Sequence, residues 1–166
     1  MRNIVLVGFM GTGKTVVGKA LANHLGREFL ELDEIIEKKE GTSIKEIFEK
    51  KGEPYFRKLE KDVIKEISVK NGVVVSAGGG AIVDEENLTN LKRYGTLICL
   101  EASPDTILSR IGSSGSRPLL NVPDPKNKIE ELLKKRKAFY KKSDFLIMTD
   151  NLTVDKVVEE IKKLVT

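Results

Sequence analysis

Residues 3–26, NIVLVGFMGTGKTVVGKALANHLG, contain the strongest indication of the fold. The first six residues form an apolar run of the length and composition typical of a buried β-strand. The segment from Lys14 onwards has the spacing of a helix and ends at Gly26, a residue suited to a helix C-cap. The chain therefore begins with a strand, a glycine-containing loop and a helix.

The loop itself, GFMGTGKT at residues 8–15, matches the pattern G-x-x-x-x-G-K-[ST] in the strand–loop–helix context that this motif requires. Its glycines allow backbone N–H groups to surround a phosphate, and the helix N-terminus adds a partial positive charge. Lys14 can reach the outer phosphates, and the hydroxyl of Thr15 can bind magnesium. The sequence therefore predicts a nucleotide site.

Short apolar runs alternate with amphipathic segments along the rest of the chain. This alternation predicts an α/β fold in which a parallel sheet is covered by helices on both faces, with ligand sites outside the carboxyl ends of the strands. The predicted strands are residues 3–8, 28–33, 73–78, 96–101 and 145–150.

Length and composition narrow the class of protein. The 166 residues fit one domain, residues 1–166, and the net charge of +4 comes from lysines that alternate with glutamates, as on solvated helix faces. There is no Trp and no basic-aromatic cluster, so we expect no nucleic-acid partner. No run is long enough to span a membrane, and we expect a monomeric cytoplasmic protein with Cys99 buried in a strand.

Residues 73–83, VVVSAGGGAIV, place three consecutive glycines after a predicted strand. Because glycine costs conformational entropy and adds nothing to a core, one glycine would suffice for a turn. Three indicate the close approach of a ligand to bare backbone. The strand ends in Ser76, where many P-loop enzymes have an aspartate that holds magnesium.

Carboxylates stand instead at the end of the second predicted strand, in the sequence ELD. Glu31 and Asp33 alternate there, so both would project from the same side of the strand. Asp33 could also cap the helix that follows, DEIIE. Beside a P-loop, a functional role is the preferred interpretation.

Three arginines are candidates for binding an anion, since the planar guanidinium suits carboxylate or phosphate better than lysine does. They are Arg57 in EPYFRKLE, Arg117 in SRPLL and Arg136 in KKRKAFY. Any one of them could be a surface residue. Arg117 lies in the irregular segment 112–128, which is either a disordered linker or a functional lid, and its position inside the domain favours the lid.

Taken together, these motifs resemble the shikimate kinase family over essentially the whole chain. The matching segments are GFMGTGKT, FLELDEIIE, GTSIKEIFEKKGEPYFRKLE, SAGGGA, SRPLL and RKAFYKKSD, in the family's order. The resemblance implies a three-layer α/β/α P-loop kinase fold with a five-stranded parallel sheet of order 2-3-1-4-5. It also implies a substrate-binding helical region at about 33–60 and a mobile lid at about 112–125.

The activity that the resemblance implies is phosphorylation of the 3-hydroxyl of shikimate by ATP with Mg²⁺, in chorismate and aromatic amino-acid synthesis. Lys14, Asp33 and Arg117 would be catalytic, with Asp33 orienting the hydroxyl and taking its proton. Shikimate would be bound by Asp33, Arg57, Gly78, Gly79, Gly80 and Arg136. ATP would be bound by Gly11, Thr12, Gly13, Lys14, Thr15, Val16, Arg110 and Arg117, although a helix-surface role for Arg110 is equally compatible with the sequence.

One position departs from the family pattern, which has Asp-x-Asp where this chain has Glu31 and Asp33. The longer glutamate changes the reach of the carboxylate, so a water-mediated contact of Glu31 with magnesium is expected rather than direct coordination. The metal would then depend chiefly on Thr15 and the ATP phosphates.

Three other functions share parts of this pattern. A kinase for another small hydroxy acid, such as gluconate, would share the P-loop and lid but not the paired arginines and SAGGGA. A nucleoside-monophosphate kinase would need a base pocket in place of a carboxylate clamp. A non-catalytic ATP-binding module would keep Lys14 without needing Asp33, Arg57 and Arg136 together.

Overall fold

The computed structural model describes residues 1–111 and 120–166. Its centre is a five-stranded, fully parallel sheet of order β2-β3-β1-β4-β5, which confirms the order expected above. The strands are β1 (Asn3–Val7), β2 (Phe29–Glu31), β3 (Val74–Ser76), β4 (Gly95–Glu101) and β5 (Phe145–Met148).

Helices cover both faces of the sheet. They are α1 (Lys14–Leu25), α2 (Leu32–Glu40), α3 (Ile44–Lys51), α4 (Glu53–Ser68), α5 (Glu85–Tyr94), α6 (Pro104–Ile111), α7 (Pro125–Tyr140) and α8 (Val154–Val165). A short 3₁₀ turn, Ala81–Val83, follows the three glycines. Each helix lies between or after strands, which gives the three-layer α/β/α arrangement that the alternating pattern predicts.

Strand β1 shows why the apolar runs are continuous. Ile4 and Leu6 face a core shared with α1 and α8, whereas Val5 and Val7 face a core shared with α4, α5 and α7. All five residues of the strand are buried. After Asn3, the strand is therefore apolar at every position, because successive side chains enter opposite cores.

The strand–helix boundary near Asp33 differs from the prediction. β2 ends at Glu31, and the helix α2 begins at Leu32, so Asp33 lies in the first turn of a helix. The expected alternation of Glu31 and Asp33 along one strand is wrong. Leu32 is buried completely in the first turn of this helix, and Asp33 still lines the cavity at the mouth of the sheet.

The segment before α7 is also shorter than predicted. Asp124 caps the helix by accepting a hydrogen bond from the Asn127 N–H, and Pro125 occupies the first helical position, which favours proline. Residues 125–128 are therefore helical. Most of the expected lid, residues 112–119 with Arg117, lies outside the described residues.

No helix in residues 1–111 or 120–166 combines the length and the apolar character that crossing a membrane requires.

Candidate active site

A cavity of about 510 Å³ opens at the carboxyl ends of the strands. The P-loop forms one wall, the start of α2 and the side of α4 form another, and the three glycines form the floor together with α7. Lys14, Asp33, Arg57 and Arg136 all line this space. The structure thus brings together four predicted site residues that are distant in the sequence.

The P-loop has the conformation that its glycines permit. Gly13 is the N-cap of α1 with φ of 98°, a left-handed conformation that residues with a Cβ rarely adopt. The ammonium group of Lys14 donates hydrogen bonds of 2.8 Å to the carbonyl oxygens of Gly8 and Phe9. Thr12 is buried, and its hydroxyl donates a hydrogen bond to the Phe9 carbonyl, so its side chain stabilises the conformation of the loop.

Thr15 and Glu31 are joined at the edge of the cavity. The Thr15 hydroxyl donates a 2.6 Å hydrogen bond to Glu31 Oε2, and Glu31 is in register with Ser76 on the neighbouring strand β3. Burial raises the pKa of Glu31 above its ordinary value, while the Thr15 hydrogen bond acts in the opposite direction. These hydroxyl and carboxylate oxygens are the donor type that Mg²⁺ prefers.

A protein-only metal centre is not indicated. Within the part of the chain that the structure describes, no group of three or more His, Cys, Asp or Glu side chains is arranged to hold an ion. Thr15 and Glu31 fit instead a magnesium ion that receives its other ligands from nucleotide phosphates and water, as P-loop kinases use it.

Arg110 reaches the P-loop from α6. Its Nη1 donates to the Gly11 carbonyl at 3.3 Å and to the Thr149 hydroxyl at 3.1 Å. Its Nη2 donates to the Thr149 carbonyl at 3.3 Å. The side chain, although exposed, therefore links the residue after β5 to the phosphate loop, and contact with the nucleotide stays a prediction.

Arg57 is held by two carboxylates of its own helix. Its Nη1 donates to Glu60 Oε1 at 2.9 Å, and its Nε and Nη2 both lie 3.4 Å from Glu53 Oε1. Burial disfavours the charge on Arg57, but the attraction of Glu60 and Glu53 outweighs it and raises the Arg57 pKa. The guanidinium is thus fixed and permanently charged at the wall of the cavity.

Arg136 is the most buried cation of the site, with 8% of its surface exposed. Its Nη1 has no hydrogen-bond partner among the described residues, and its guanidinium carbon lies 5.5 Å from the centre of the Phe9 ring. Because a buried donor without a partner costs about 1–3 kcal/mol or more, its retention indicates a ligand that supplies the acceptor.

The three glycines are explained by close approach and not by unusual backbone angles, since none of them has a positive φ. A Cβ at Gly80 would lie 2.6 Å from Arg57 Nη2, and one at Gly79 would lie 3.2 Å from Arg136 Nη1. A Cβ at Gly78 would lie 3.0 Å from Glu60 Oε2. The sequence analysis predicted the close approach of a ligand, which stays a prediction; the groups that lie nearest to a Cβ at these positions are side chains of Arg57, Glu60 and Arg136.

Gly80→Ala is expected to raise KM for the acid substrate about tenfold, because the new methyl group must displace an arginine that Glu60 holds in place. Stability is expected to change little, since φ of Gly80 is −103° and suits any residue. Steady-state kinetics and thermal melting measure both effects.

Gly41→Ala is the matched control, because its Cβ would meet nothing within 4 Å although its φ is +71°. It should lose stability and keep KM. If Gly80→Ala and Gly41→Ala give the same KM, the close approach to Arg57 has no functional meaning.

Two residues of the site were missed by sequence reasoning. Glu60 is 1% exposed and supports Arg57, and burial raises its pKa although the neighbouring guanidinium opposes this. It could have been found, because it occupies the same buried stripe of α4 as Phe56 and Val63. A carboxylate among the apolar residues of a helix that face the core indicates that a hydrogen-bond partner for it is buried nearby.

The second missed residue is Tyr140, at the end of α7. Its hydroxyl donates a 2.6 Å hydrogen bond to the Gly79 carbonyl, and burial raises its pKa to about 12, so the phenol keeps its proton. Tyr140 therefore holds the backbone of the glycine segment in place through this hydrogen bond. No spacing in the sequence distinguishes it from an ordinary core tyrosine.

The comparisons with known proteins agree with this geometry. A family model described as shikimate kinase matches residues 10–166. The shikimate kinase of Thermodesulfovibrio yellowstonii is 48% identical over 163 residues, which cover 98% of this chain and 94% of that one. The shikimate kinase of Thermus thermophilus is 42% identical over 95% of this chain and 86% of that one.

Solved structures give the same result. Shikimate kinase from Acinetobacter baumannii in complex with shikimate superposes with a TM-score of 0.96 at 40% identity, covering 99% of this chain and 93% of that one. Shikimate kinase from Aquifex aeolicus superposes with a TM-score of 0.82 at 37% identity, covering 98% and 94%. The strand order, the P-loop and these matches agree over nearly the whole length, and the chain belongs to the shikimate kinase family.

Proposed function

We propose that this chain transfers the γ-phosphoryl group of ATP to the 3-hydroxyl of shikimate, giving shikimate 3-phosphate. The observation that carries the proposal is the cavity lined by Lys14, Asp33, Arg57 and Arg136, in which the buried Nη1 of Arg136 has no partner among the described residues. A phosphate-binding loop and a carboxylate clamp that share one space suit a kinase whose acceptor is a small hydroxy acid.

The acid end of the substrate is proposed to lie between Arg57 and Arg136, over the glycine floor. Two guanidinium groups from different helices can hold a carboxylate in one orientation, and the floor leaves room for the ring. Apolar side chains of the cavity, Phe48 and Phe56 among them, would contact the ring carbons. The substrate's hydroxyl groups would then point toward Asp33 and the P-loop.

Asp33 is proposed to orient the reacting hydroxyl and to accept its proton as the oxygen attacks phosphorus. A carboxylate in hydrogen-bond reach of the hydroxyl can do both. Lys14 would contact the outer phosphates and stabilise the charge that develops on them, once the nucleotide replaces the Gly8 and Phe9 carbonyls as its partner. Arg117, outside the described residues, is proposed to add a second positive charge from the lid.

Magnesium is proposed to bind between the nucleotide phosphates and the Thr15–Glu31 pair, with Glu31 acting through water. When bound, the ion neutralises phosphate charge during transfer. The hydroxyl of Thr15 already lies 2.6 Å from Glu31 Oε2, so the two oxygens face one small volume. Arg110, which hydrogen-bonds the Gly11 carbonyl, is proposed to lie beside the nucleotide base.

The proposed reaction requires residues from only one polypeptide chain. The clamp residues Arg57 and Arg136 and most of the phosphate loop come from a single polypeptide and line a single cavity. We therefore propose a functional monomer, which light scattering of the active enzyme would test.

A coupled ADP-release assay with shikimate, quinate, gluconate and nucleoside monophosphates, with and without Mg²⁺, tests the function. Activity with shikimate that needs Mg²⁺ is expected, with the other acceptors at background. Lys14→Met is the negative control for contaminating kinases. Equal or greater turnover of gluconate or a nucleoside monophosphate would overturn the proposed substrate, and ATP binding without any turnover would favour the non-catalytic module.

A further inference from the structure

A second cavity of about 490 Å³ lies behind the acid clamp, between α4, α5 and α7. Arg57 lines both cavities, so its side chain forms part of the partition between them. Glu53 lines only the second cavity and reaches Arg57 from that outer side. A substrate in the first cavity would therefore influence Glu53 through Arg57 and not by direct contact.

We infer that Glu53 acts through Arg57 and lowers the affinity of the clamp for the substrate's carboxylate, because it occupies one edge of the Arg57 guanidinium. This inference rests on the proposed function, because it concerns the acid end of the same substrate. Glu53 Oε1 lies 3.4 Å from both Nε and Nη2 of Arg57, and these two donors form one of the edges that bind a carboxylate with two hydrogen bonds.

The two carboxylates on Arg57 are not equivalent. Glu60 is 1% exposed and accepts a 2.9 Å hydrogen bond, whereas the Glu53 side chain is 49% exposed and its contacts are long. Glu60 and the Phe56 ring, 5.2 Å from the guanidinium carbon, already fix the position of Arg57. Glu53 therefore adds little to the geometry of the clamp but adds a full negative charge beside it.

That charge opposes binding in two ways. A substrate carboxylate must share the positive charge of Arg57 with Glu53, because Glu53 already accepts from the Nε–Nη2 edge. It also experiences repulsion from a like charge, which is only partly screened beside a low-dielectric wall. The product keeps the same carboxylate, so a weakened clamp would release substrate and product alike.

Glu53→Gln keeps the shape of the side chain and removes the charge. We expect the Kd for shikimate, measured by calorimetry without nucleotide, to fall about two- to fivefold. KM for shikimate should fall in parallel, while kcat stays the same or falls. Glu53→Asp, which retains the charge, should stay closer to wild type than Glu53→Gln does.

Glu160→Gln is the matched control, since Glu160 forms a 2.7 Å ion pair with Lys163 on α8, far from the clamp. It should change neither Kd nor KM. A role of Glu53 confined to stabilising the first turn of α4 predicts a lower melting temperature with unchanged Kd, and a role in holding Arg57 predicts a higher Kd. Either result overturns the inference.

Failure of the inference and failure of the proposed function give different results. If the wild-type protein does not bind shikimate, the proposed function fails. If the wild type binds shikimate and Glu53→Gln binds it equally well or more weakly, only the inference about Glu53 fails.

Discussion

Asp33→Asn is expected to lower kcat for shikimate phosphorylation at least about 100-fold, because the amide keeps the shape of the carboxylate but cannot take a proton. Asp33 lies in the first turn of α2 and lines the cavity with Lys14 and Arg57. Its Oδ1 is 3.6 Å from the position that a Cβ on Gly78 would occupy, so it stands directly above the glycine floor. A substrate clamped by its carboxylate would present its ring hydroxyls to this carboxylate.

The measurement separates chemistry from binding. Single-turnover kinetics at saturating ATP and shikimate report the transfer step, and calorimetry reports ATP affinity, which should stay within about twofold of wild type. Asp62→Asn is the matched control, since Asp62 lies on the exposed side of α4. Near-normal turnover of Asp33→Asn would exclude Asp33 as the proton acceptor and would leave it only an orienting role.

Asp33 also shows which features of the fold the sequence alone could predict and which it could not. The alternation of apolar runs and helical segments predicts the layers and the sheet, because a parallel strand that is buried on both faces is mostly apolar on both sides. The same pattern cannot locate the end of β2, since Leu32 would fit a strand and a helix equally well. The structure places Leu32 in α2, which changes the element that carries Asp33 but keeps it at the mouth of the sheet.

The clamp formed by Arg57 and Arg136 shows a second kind of feature that the sequence alone could not predict. Arg57 and Arg136 could be predicted to bind an anion from their chemistry, but their meeting depends on the packing of α4 and α7 around the glycine floor. Glu60, which holds Arg57, is hidden in an apolar stripe of α4, and Tyr140, which holds the Gly79 carbonyl, is distant from it in the sequence. Residue type predicted the anion-binding groups, whereas the residues that support the site became apparent only in the fold.

Arg136→Met is expected to raise KM for shikimate at least about 30-fold, since truncating one partner of a buried charged pair typically costs about 2–5 kcal/mol. The Nη1 of Arg136 is buried without a hydrogen-bond partner among the described residues, and Arg136 lines the cavity, where a ligand carboxylate would supply an acceptor. Arg136→Lys should recover only part of the loss, because an ammonium group lacks the planar fork that binds a carboxylate through two hydrogen bonds.

The melting temperature gives a second, independent readout for Arg136. A buried guanidinium with an unpartnered nitrogen is costly in the free enzyme, so Arg136→Met should melt at the same temperature as wild type or higher in the absence of ligand. Added shikimate should stabilise the wild type and leave this variant unchanged, because binding to the folded state alone raises stability. Arg93→Met, which removes an exposed arginine of α5, is the control and should retain the ligand-induced shift. A variant that melts well below wild type yet still responds to shikimate would make Arg136 a structural support of α7 and would remove it from the clamp.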